Sequence, residues 1–458
     1  MDGAIEQAVN EVGMRKISDW GNYPVIDADV SGFDTSEQLR RKLEQPGEVI
    51  AFGNGRSYGD SSLQKRILLT RRFSKFLSFD ESTGELRCQA GVLLSEILDV
   101  FVPRGWFLPV TPGTKYITIG GAIAADVHGK NHHVDGSFGQ HVLSMDVMRN
   151  DGTVITCSPS ENSDFFKITL GGMGLSGIIM SASFKLRRIE TAYIREETVR
   201  TANLEEIMDC FEASDDWTFS MAWIDCLAKG DSMGRSIMMR GEHATKQDLL
   251  NQEHKAAPLS PKKGIQLGVP VNFPNFALNP LSMKAFNFAY YNKCPGGIHQ
   301  AIVDYNSFFY PLDAISDWNR IYGKRGFTQY QFVIPKEAGR EGMRKILKRI
   351  SDSGLGSFLA VLKMFGKQDS FISFPMAGYT LALDFPITLK AMALFTELDA
   401  MVADYGGRLY LAKDSRMNAE MFGKTYPNAD DFRQAVALLN EGSTKFASLQ
   451  SKRIGITS

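Results

Sequence analysis

At 458 residues the chain exceeds the length that one hydrophobic core sustains, so two domains are the natural expectation. An apolar fraction of 43% and a charged fraction of 22% are those of an ordinary globular protein. With 51 basic against 52 acidic residues the net charge is −1, which excludes a sequence-blind grip on nucleic acid.

Residues 1–16 are acidic and helical in pattern, with neither a basic n-region nor an apolar h-region, and predict no secretory signal. Residues 48–52 read as a short apolar strand that runs into the loop Gly53-Asn54-Gly55-Arg56-Ser57-Tyr58-Gly59-Asp60. Another strand covers 85–90. Leu93, Leu94, Ile97, Leu98 and Phe101 then recur at helical spacing until Pro103 and Gly105 end the helix. Strand-like runs follow around Gly121 and over 145–149, 153–157 and 177–186, a mixed α+β order rather than strict βαβ alternation. Past about Thr191 come alternating strand patterns at 218–224, 327–334, 358–364 and 380–385, with helical stretches near 340–351 and 390–405.

Between Ala256 and Gly297 lies a segment rich in Pro, Asn and Phe with little periodicity. Such a segment in a compact domain is either functional or a plain surface excursion. Its prolines are expected to break regular structure. Its aromatics, with Lys262 and Lys263, suit a mobile cover that meets a membrane surface or a lipid tail. Two uncharged stretches have membrane-like length, 168–184 and 267–283. The first is crowded with glycine and the second holds Pro270, Pro274 and Pro280, so neither spans lipid as a helix. The five cysteines, Cys88, Cys157, Cys210, Cys226 and Cys294, are scattered and never spaced as CxxC. They read as buried apolar residues in a reducing compartment, not as a disulfide frame or zinc site. The expected place is the cytoplasm, with room for peripheral contact at a membrane surface.

Gly53-x-Gly55-x-x-x-Gly59 after a strand invites a Rossmann reading, but that loop must open a helix facing a pyrophosphate. Here it leads into a turn and another strand, where a nest of backbone N–H groups and a plain β-turn are both open readings. A second small-residue segment runs Pro109 to Thr114 and Thr118 to Ala125, and a third runs Leu170 to Ile179. Three glycine-dense turns, each joined to a strand, suggest one long cofactor held by backbone, and FAD is such a cofactor. His128, His132, His133 and His141 cluster in sequence, yet glycines interrupt the run and no HExxH glutamate accompanies it, so no metal is expected.

The order of these segments resembles the vanillyl-alcohol oxidase (PCMH-type) flavoprotein superfamily. The residues that carry the resemblance are Gly55-Arg56-Ser57-Tyr58-Gly59-Asp60, Pro112-Gly113-Thr114, Gly120-Gly121-Ala122-Ile123-Ala124, His128-Gly129-Lys130-Asn131-His132-His133, Gly136-Ser137-Phe138-Gly139 and Gly177-Ile178-Ile179-Met180. In the second half they are Trp318-Asn319-Arg320, 329–335, Asp384-Phe385-Pro386-Ile387, 406–410 and 412–416. The resemblance is to the sugar-oxidising branch that acts on polyprenylphosphoryl ribose, and it spans nearly the whole chain.

It implies an α+β fold with a PCMH-type FAD-binding domain in two parts, 1–192 and 406–458, and an inserted substrate-binding domain, 193–405, built on an antiparallel sheet. Carried over residue by residue, it puts the cofactor on Gly53, Asn54, Gly55, Arg56, Ser57, Tyr58, Gly113, Thr114, Thr118, Gly121 and Gly129, with Ile179 and Tyr410 at its border. It puts Lys130, Trp223, Gln329, Gln331, Lys363 and Thr380 around the substrate, and Lys413 and His128 in catalysis. By composition alone Lys363 and Lys413 read as solvated surface charges. Gln329 and Gln331 share one strand face, either a polar pocket wall or a solvent-facing sheet, and Trp223 suits a plain core.

The implied reaction oxidises the 2′-hydroxyl of polyprenylphosphoryl-β-D-ribose to a 2′-keto sugar. A short-chain reductase then converts the ketone to the arabinose epimer, an arabinan precursor of cell-wall biosynthesis. Gly55-Arg56-Ser57 stands where the sugar-alcohol branch has Gly-His-Ser, so the FAD is expected to be non-covalent. Ala382 stands where mycobacterial members carry a reactive cysteine. The rivals are an oxidase of alditols or of aldonolactones such as D-arabinono-1,4-lactone and, from another class, a flavin-binding protein without turnover.

Overall fold

The computed structural model describes residues 12–261, 267–276 and 278–458. Most strands fall into three sheets. The first has the order Gly13–Ile17, Ile26–Gly32, Arg66–Leu69, Ile50–Phe52. Its first pair is antiparallel, while Arg66–Leu69 runs parallel to both of its neighbours. A parallel pair needs a crossover of about a dozen residues, and residues 53–65, which include the first glycine loop, form it without a helix. Gly13–Ile17 corrects the helical reading of residues 1–16 over its span. Its exposure alternates with the period of two that a sheet edge demands, and residues 1–11 lie outside those described.

The second sheet, Phe76–Asp80, Glu85–Gln89, Ile178–Lys185, Val142–Met148 and Val154–Cys157 in spatial order, is antiparallel throughout. The helix Leu94–Phe101 buries Leu94, Ile97, Leu98 and Phe101 in the core on one side of it. The run around Gly121 is not a strand. It is the helix Ile119–Ala124, begun by Thr118, whose side chain accepts from the Gly121 N–H at 3.1 Å. A good N-cap followed by small residues outweighs the apolar character of the run.

The third sheet has eight strands in the order Ile298–Asp304, Tyr193–Thr201, Ser236–His243, Phe219–Ile224, Ala360–Phe365, Gly378–Pro386, Phe327–Pro335 and Arg408–Leu409. Every pairing in it is antiparallel, and alternation gives each strand two chemistries. Phe332, Ile334, Leu381 and Leu383 pack under the helices Lys336–Ser353 and Leu389–Asp404, which bury Ile346, Leu347, Leu394 and Leu398 in the same core. Gln329, Gln331, Thr380, Ala382 and Lys363 point the other way, into a cleft shared with the glycine loops.

The segment between Ala256 and Gly297 is not irregular throughout, because it contains the helix Pro280–Lys293. Pro280 starts this helix instead of breaking it: at the first helical position its missing N–H costs nothing. Asn279 caps the neighbouring N–H groups of Leu281 and Ser282 at 2.9 and 3.1 Å. Lys262 and Lys263 lie outside the described residues.

Residues past 410 return to the first sheet. Val49 bridges Phe446, and the Leu449 N–H donates to the Leu63 carbonyl at 2.8 Å. Arg453 reaches Asp60 at 2.6 Å and Asp414 at 2.8 Å. All five cysteines are free, and among the described residues no helix is long and apolar enough to cross a membrane.

Candidate active site

Backbone forms one end of the cleft and side chains form the other. The cavity measures about 350 Å³, within the range of small-molecule sites. At the backbone end run Gly53 to Tyr58, Thr111 to Thr114, Thr118, Gly120, Gly121 and the Met173–Gly177 turn. A Cβ on Gly113 would meet nothing within 4 Å, and one on Gly121 only the Thr118 hydroxyl, so this wall stays open for a ligand laid along it. The first N–H groups of the Ile119–Ala124 helix are already taken by Val92, Ala90 and Thr118. The helix therefore contributes a small-residue surface, not a set of spare donors.

At the other end the sheet delivers polar groups in register. Gln331 faces Ala382, Gln329 faces Asp384, and Lys363 faces Thr380 across the ladders. The Gln331 amide lies 3.2 Å from His128 Nε2 and 3.3 Å from Thr380 Oγ1, donating to each. That bond places the imidazole proton on Nδ1, which finds no partner among the described residues. Phe365, Phe374 and Tyr410 surround the ring, with Phe365 at 4.7 Å. Burial, together with the charges of Lys363 and Lys413, holds the His128 pKa well below the usual histidine value, so it is neutral.

Three lysines, Lys130, Lys363 and Lys413, meet this end of the cleft. Burial lowers Lys363 to about 8 and Lys130 to about 7. The Lys130 ammonium donates to the Phe308 carbonyl and lies 4.2 Å from the Phe308 ring centre. Burial also lowers Lys413, against the pull of the Asp384 carboxylate. Lys413 Nζ sits 3.7 Å over the Tyr58 ring. It arrives there by a turn: the strand ends at Leu409, and the Lys413 N–H donates to the Tyr410 carbonyl at 3.0 Å. This tight turn brings Tyr410, Ala412 and Lys413 all to the cleft. The surface-charge reading of Lys363 and Lys413 does not hold, whereas the pocket-wall reading of Gln329 and Gln331 does.

Of the residues singled out from sequence, Gly53, Asn54, Gly55, Arg56, Ser57, Tyr58, Gly113, Thr114, Thr118, Gly121, His128, Lys130, Ile179, Gln329, Gln331, Lys363, Thr380, Tyr410 and Lys413 line this one cleft. Gly129 and Trp223 do not. A Cβ on Gly129 would strike Asn131 and the Thr111 carbonyl, so this glycine serves close packing behind the wall. Trp223 donates to the Phe358 carbonyl at 2.9 Å and packs on Tyr290, while Met221, on the same strand face, reaches the cleft.

Two carboxylates escaped the sequence reading. Asp384 is buried, takes the Gln329 amide at 2.6 Å with one oxygen and leaves the other without a hydrogen-bond partner among the described residues. Asp126, at φ 41°, accepts from Gly139, Gln368 and Ser373 and ties the His128 segment to the 366–376 loop. Its signal was only an Asp beside a histidine-rich run. The histidines part company in space: His132 pairs with Gln368, His133 with the Trp217 carbonyl and His141 with the Asp135 carbonyl. Among the described residues no three His, Cys, Asp or Glu side chains are grouped to hold a metal.

An elongated, glycine-walled cleft closed by an antiparallel sheet defines an FAD-binding oxidoreductase acting on a CH–OH group. Residues 36–158 match the family model described as FAD binding domain. The chain is 38% identical over 431 residues, 91% of its length and 93% of the relative's, to decaprenylphosphoryl-beta-D-ribose oxidase of Mycolicibacterium smegmatis, and it belongs to that family. It is 19% identical over 425 residues to L-gulono-1,4-lactone dehydrogenase of Mycobacterium tuberculosis, covering 90% of this chain and 94% of the relative. It is also 25% identical over 179 residues to L-gulonolactone oxidase of Mus musculus, covering 38% and 39%. FAD is the cofactor, and the open backbone wall suits it.

Proposed function

We propose that the chain oxidises the 2′-hydroxyl of polyprenylphosphoryl-β-D-ribose to the 2′-keto sugar, the first half of an epimerisation to arabinose. The observation that carries this reading is the gathering of Lys130, Lys363 and Lys413 with Gln329 and Gln331 at the sheet end of a cleft whose other end is bare backbone. Three lysines suit a substrate that brings a phosphate, and two amides suit one that brings sugar hydroxyls.

The division of labour is a two-part cofactor domain, 1–192 with 406–458, and a substrate domain, 193–405. Gly53 to Tyr58, Gly113, Thr114, Thr118 and Gly121 hold the dinucleotide, with Ile179 and Tyr410 at its border. When bound, FAD supplies the hydride acceptor. Gln331 and His128 Nδ1 orient the sugar. The Lys413 amine takes the hydroxyl proton as the C–H bond is given up and the carbonyl forms. Lys363 and Lys130 hold the phosphate side. The ketone leaves for a separate short-chain reductase.

The test is anaerobic bleaching of the bound flavin. Polyprenylphosphoryl ribose should reduce it, and free ribose or aldonolactones should not. Bleaching by gulonolactone alone would move the assignment to the lactone oxidases, and bleaching by no donor would leave a flavin carrier. Arg56 in place of a histidine makes the attachment non-covalent, so acid precipitation should leave all the yellow colour in the supernatant.

A further inference from the structure

The stretch from His254 to Val303 contains five lysines and no aspartate or glutamate, in a chain of net charge −1. Within it Leu267, Val271, Phe273, Phe276, Leu281, Phe286, Phe288 and Ile298 are exposed, eight of the nineteen exposed large hydrophobic side chains among the described residues. A monomer's water-facing surface does not concentrate apolar groups in this way without use.

The helix Pro280–Lys293 organises the patch. Met283 and Asn287 face inward, Asn287 donating to Asp225 at 2.8 Å. Tyr290 packs on Trp223 and Phe286 on Phe358. Leu281, Lys284 and Phe288, at i, i+3 and i+7, share the outward face, with Leu281 77% and Phe288 61% exposed. Aromatic and aliphatic tips beside Lys284, on a helix without an acidic residue, suit contact with the surface of an anionic bilayer. The patch also adjoins the cleft, since Phe358, under Phe286, precedes Leu359 of the cleft wall.

We propose that this surface, centred on Phe276, Leu281, Lys284 and Phe288, docks the enzyme on the surface of an anionic membrane next to the opening of its cleft. The inference deepens the proposed function, because a lipid-linked sugar enters a cleft whose rim already rests on the bilayer. The charge complement selects lipid over other occupants: a second copy of a chain bearing the same lysines would oppose like with like.

The experiment is co-sedimentation of the FAD-loaded enzyme with vesicles of phosphatidylcholine alone and of phosphatidylcholine mixed with phosphatidylglycerol. Kinetics with a water-soluble, short-chain phosphoryl-ribose donor run in parallel. Binding should require phosphatidylglycerol, weaken with salt, and fall roughly tenfold in Phe288→Ser and further in Phe276→Ser/Phe288→Ser. Flavin reduction by the short-chain donor should be unchanged in both. Failure to bind anionic vesicles, or equal binding by the double variant, would overturn the membrane surface while leaving the substrate reading intact. A failure of the donor to bleach flavin in an enzyme that binds vesicles would do the reverse. A dimer in light scattering that the double variant dissolves would assign the patch to a second copy instead.

Discussion

Lys413 Nζ rests over the Tyr58 ring and shares its surroundings with Asp384, so its charge is set by two opposed influences, burial and a carboxylate. Lys413→Ala should keep FAD and fold normally while flavin reduction slows on the order of 10²–10³-fold. Lys413→Arg should recover little, because a rigid fork does not replace a compact amine. Rapid-mixing reduction under anaerobic conditions reads both. Asp384 raises the Lys413 pKa, so Asp384→Asn should shift the pH profile of flavin reduction to lower pH; an unmoved profile would separate the two groups.

Lys363 carries a different signature. Its pKa in the fold is about 8 against an ordinary lysine value of 10.5, so the unfolded chain binds the proton more tightly. The resulting penalty is full below pH 8 and fades as pH rises to 10.5. Lys363→Met should therefore stabilise the protein by about 3 kcal/mol at pH 7 to 8, with the gain vanishing near pH 10.5. Denaturant melts across that range check the sign, and flavin reduction by the phosphorylated donor should weaken in the same variant.

At the scale of elements, the Pro280–Lys293 helix meets the body through Met283, Asn287 and a few ring contacts. Few buried contacts mean a low cost of local opening. Trypsin should cut first after Lys255, Lys284 or Lys293, and a substrate analogue should suppress those cuts; protection equal to the core sheet in the free enzyme would count against a cover. This helix also marks what the sequence hid. A Pro at its first position and exposed phenylalanines on its outer face erase the periodicity that elsewhere betrayed Lys336–Ser353 and Leu389–Asp404. The Ile119–Ala124 helix was missed because six small and apolar residues carry no period, with only Thr118 to mark the start. The four neighbouring strands Phe219–Ile224, Ala360–Phe365, Gly378–Pro386 and Phe327–Pro335 of the eight-stranded sheet were legible because one face packs under helices and the other must be polar, whereas Tyr193–Thr201, Ser236–His243 and Ile298–Asp304 were not read as strands. The reach of Lys413 was not, since a turn after Leu409, invisible to alternation, sets it. Trp223 was misplaced because strand parity gives a side chain's face and not its distance along the cleft.

Across the whole molecule, Arg453 holds two buried carboxylates, Asp60 beside the first glycine loop and Asp414 beside Lys413. Removing the cation leaves both without it, a loss that commonly costs 3–5 kcal/mol for a buried pair. Arg453→Ala should lower the melting temperature and release flavin at lower denaturant concentration, read by the fluorescence of freed FAD. The same clamp has a bearing on biosynthesis. Residues 49–63 form one wall of the cleft and its supports, yet the groups that pin them, Phe446, Leu449 and Arg453, emerge from the ribosome some four hundred residues later. A nascent chain that has exposed only its first four hundred residues has the glycine loops but neither Tyr410 nor Lys413 nor the clamp. Flavin loading is thus expected to follow release from the ribosome, and a purified chain terminated at that length should be colourless by its visible absorbance.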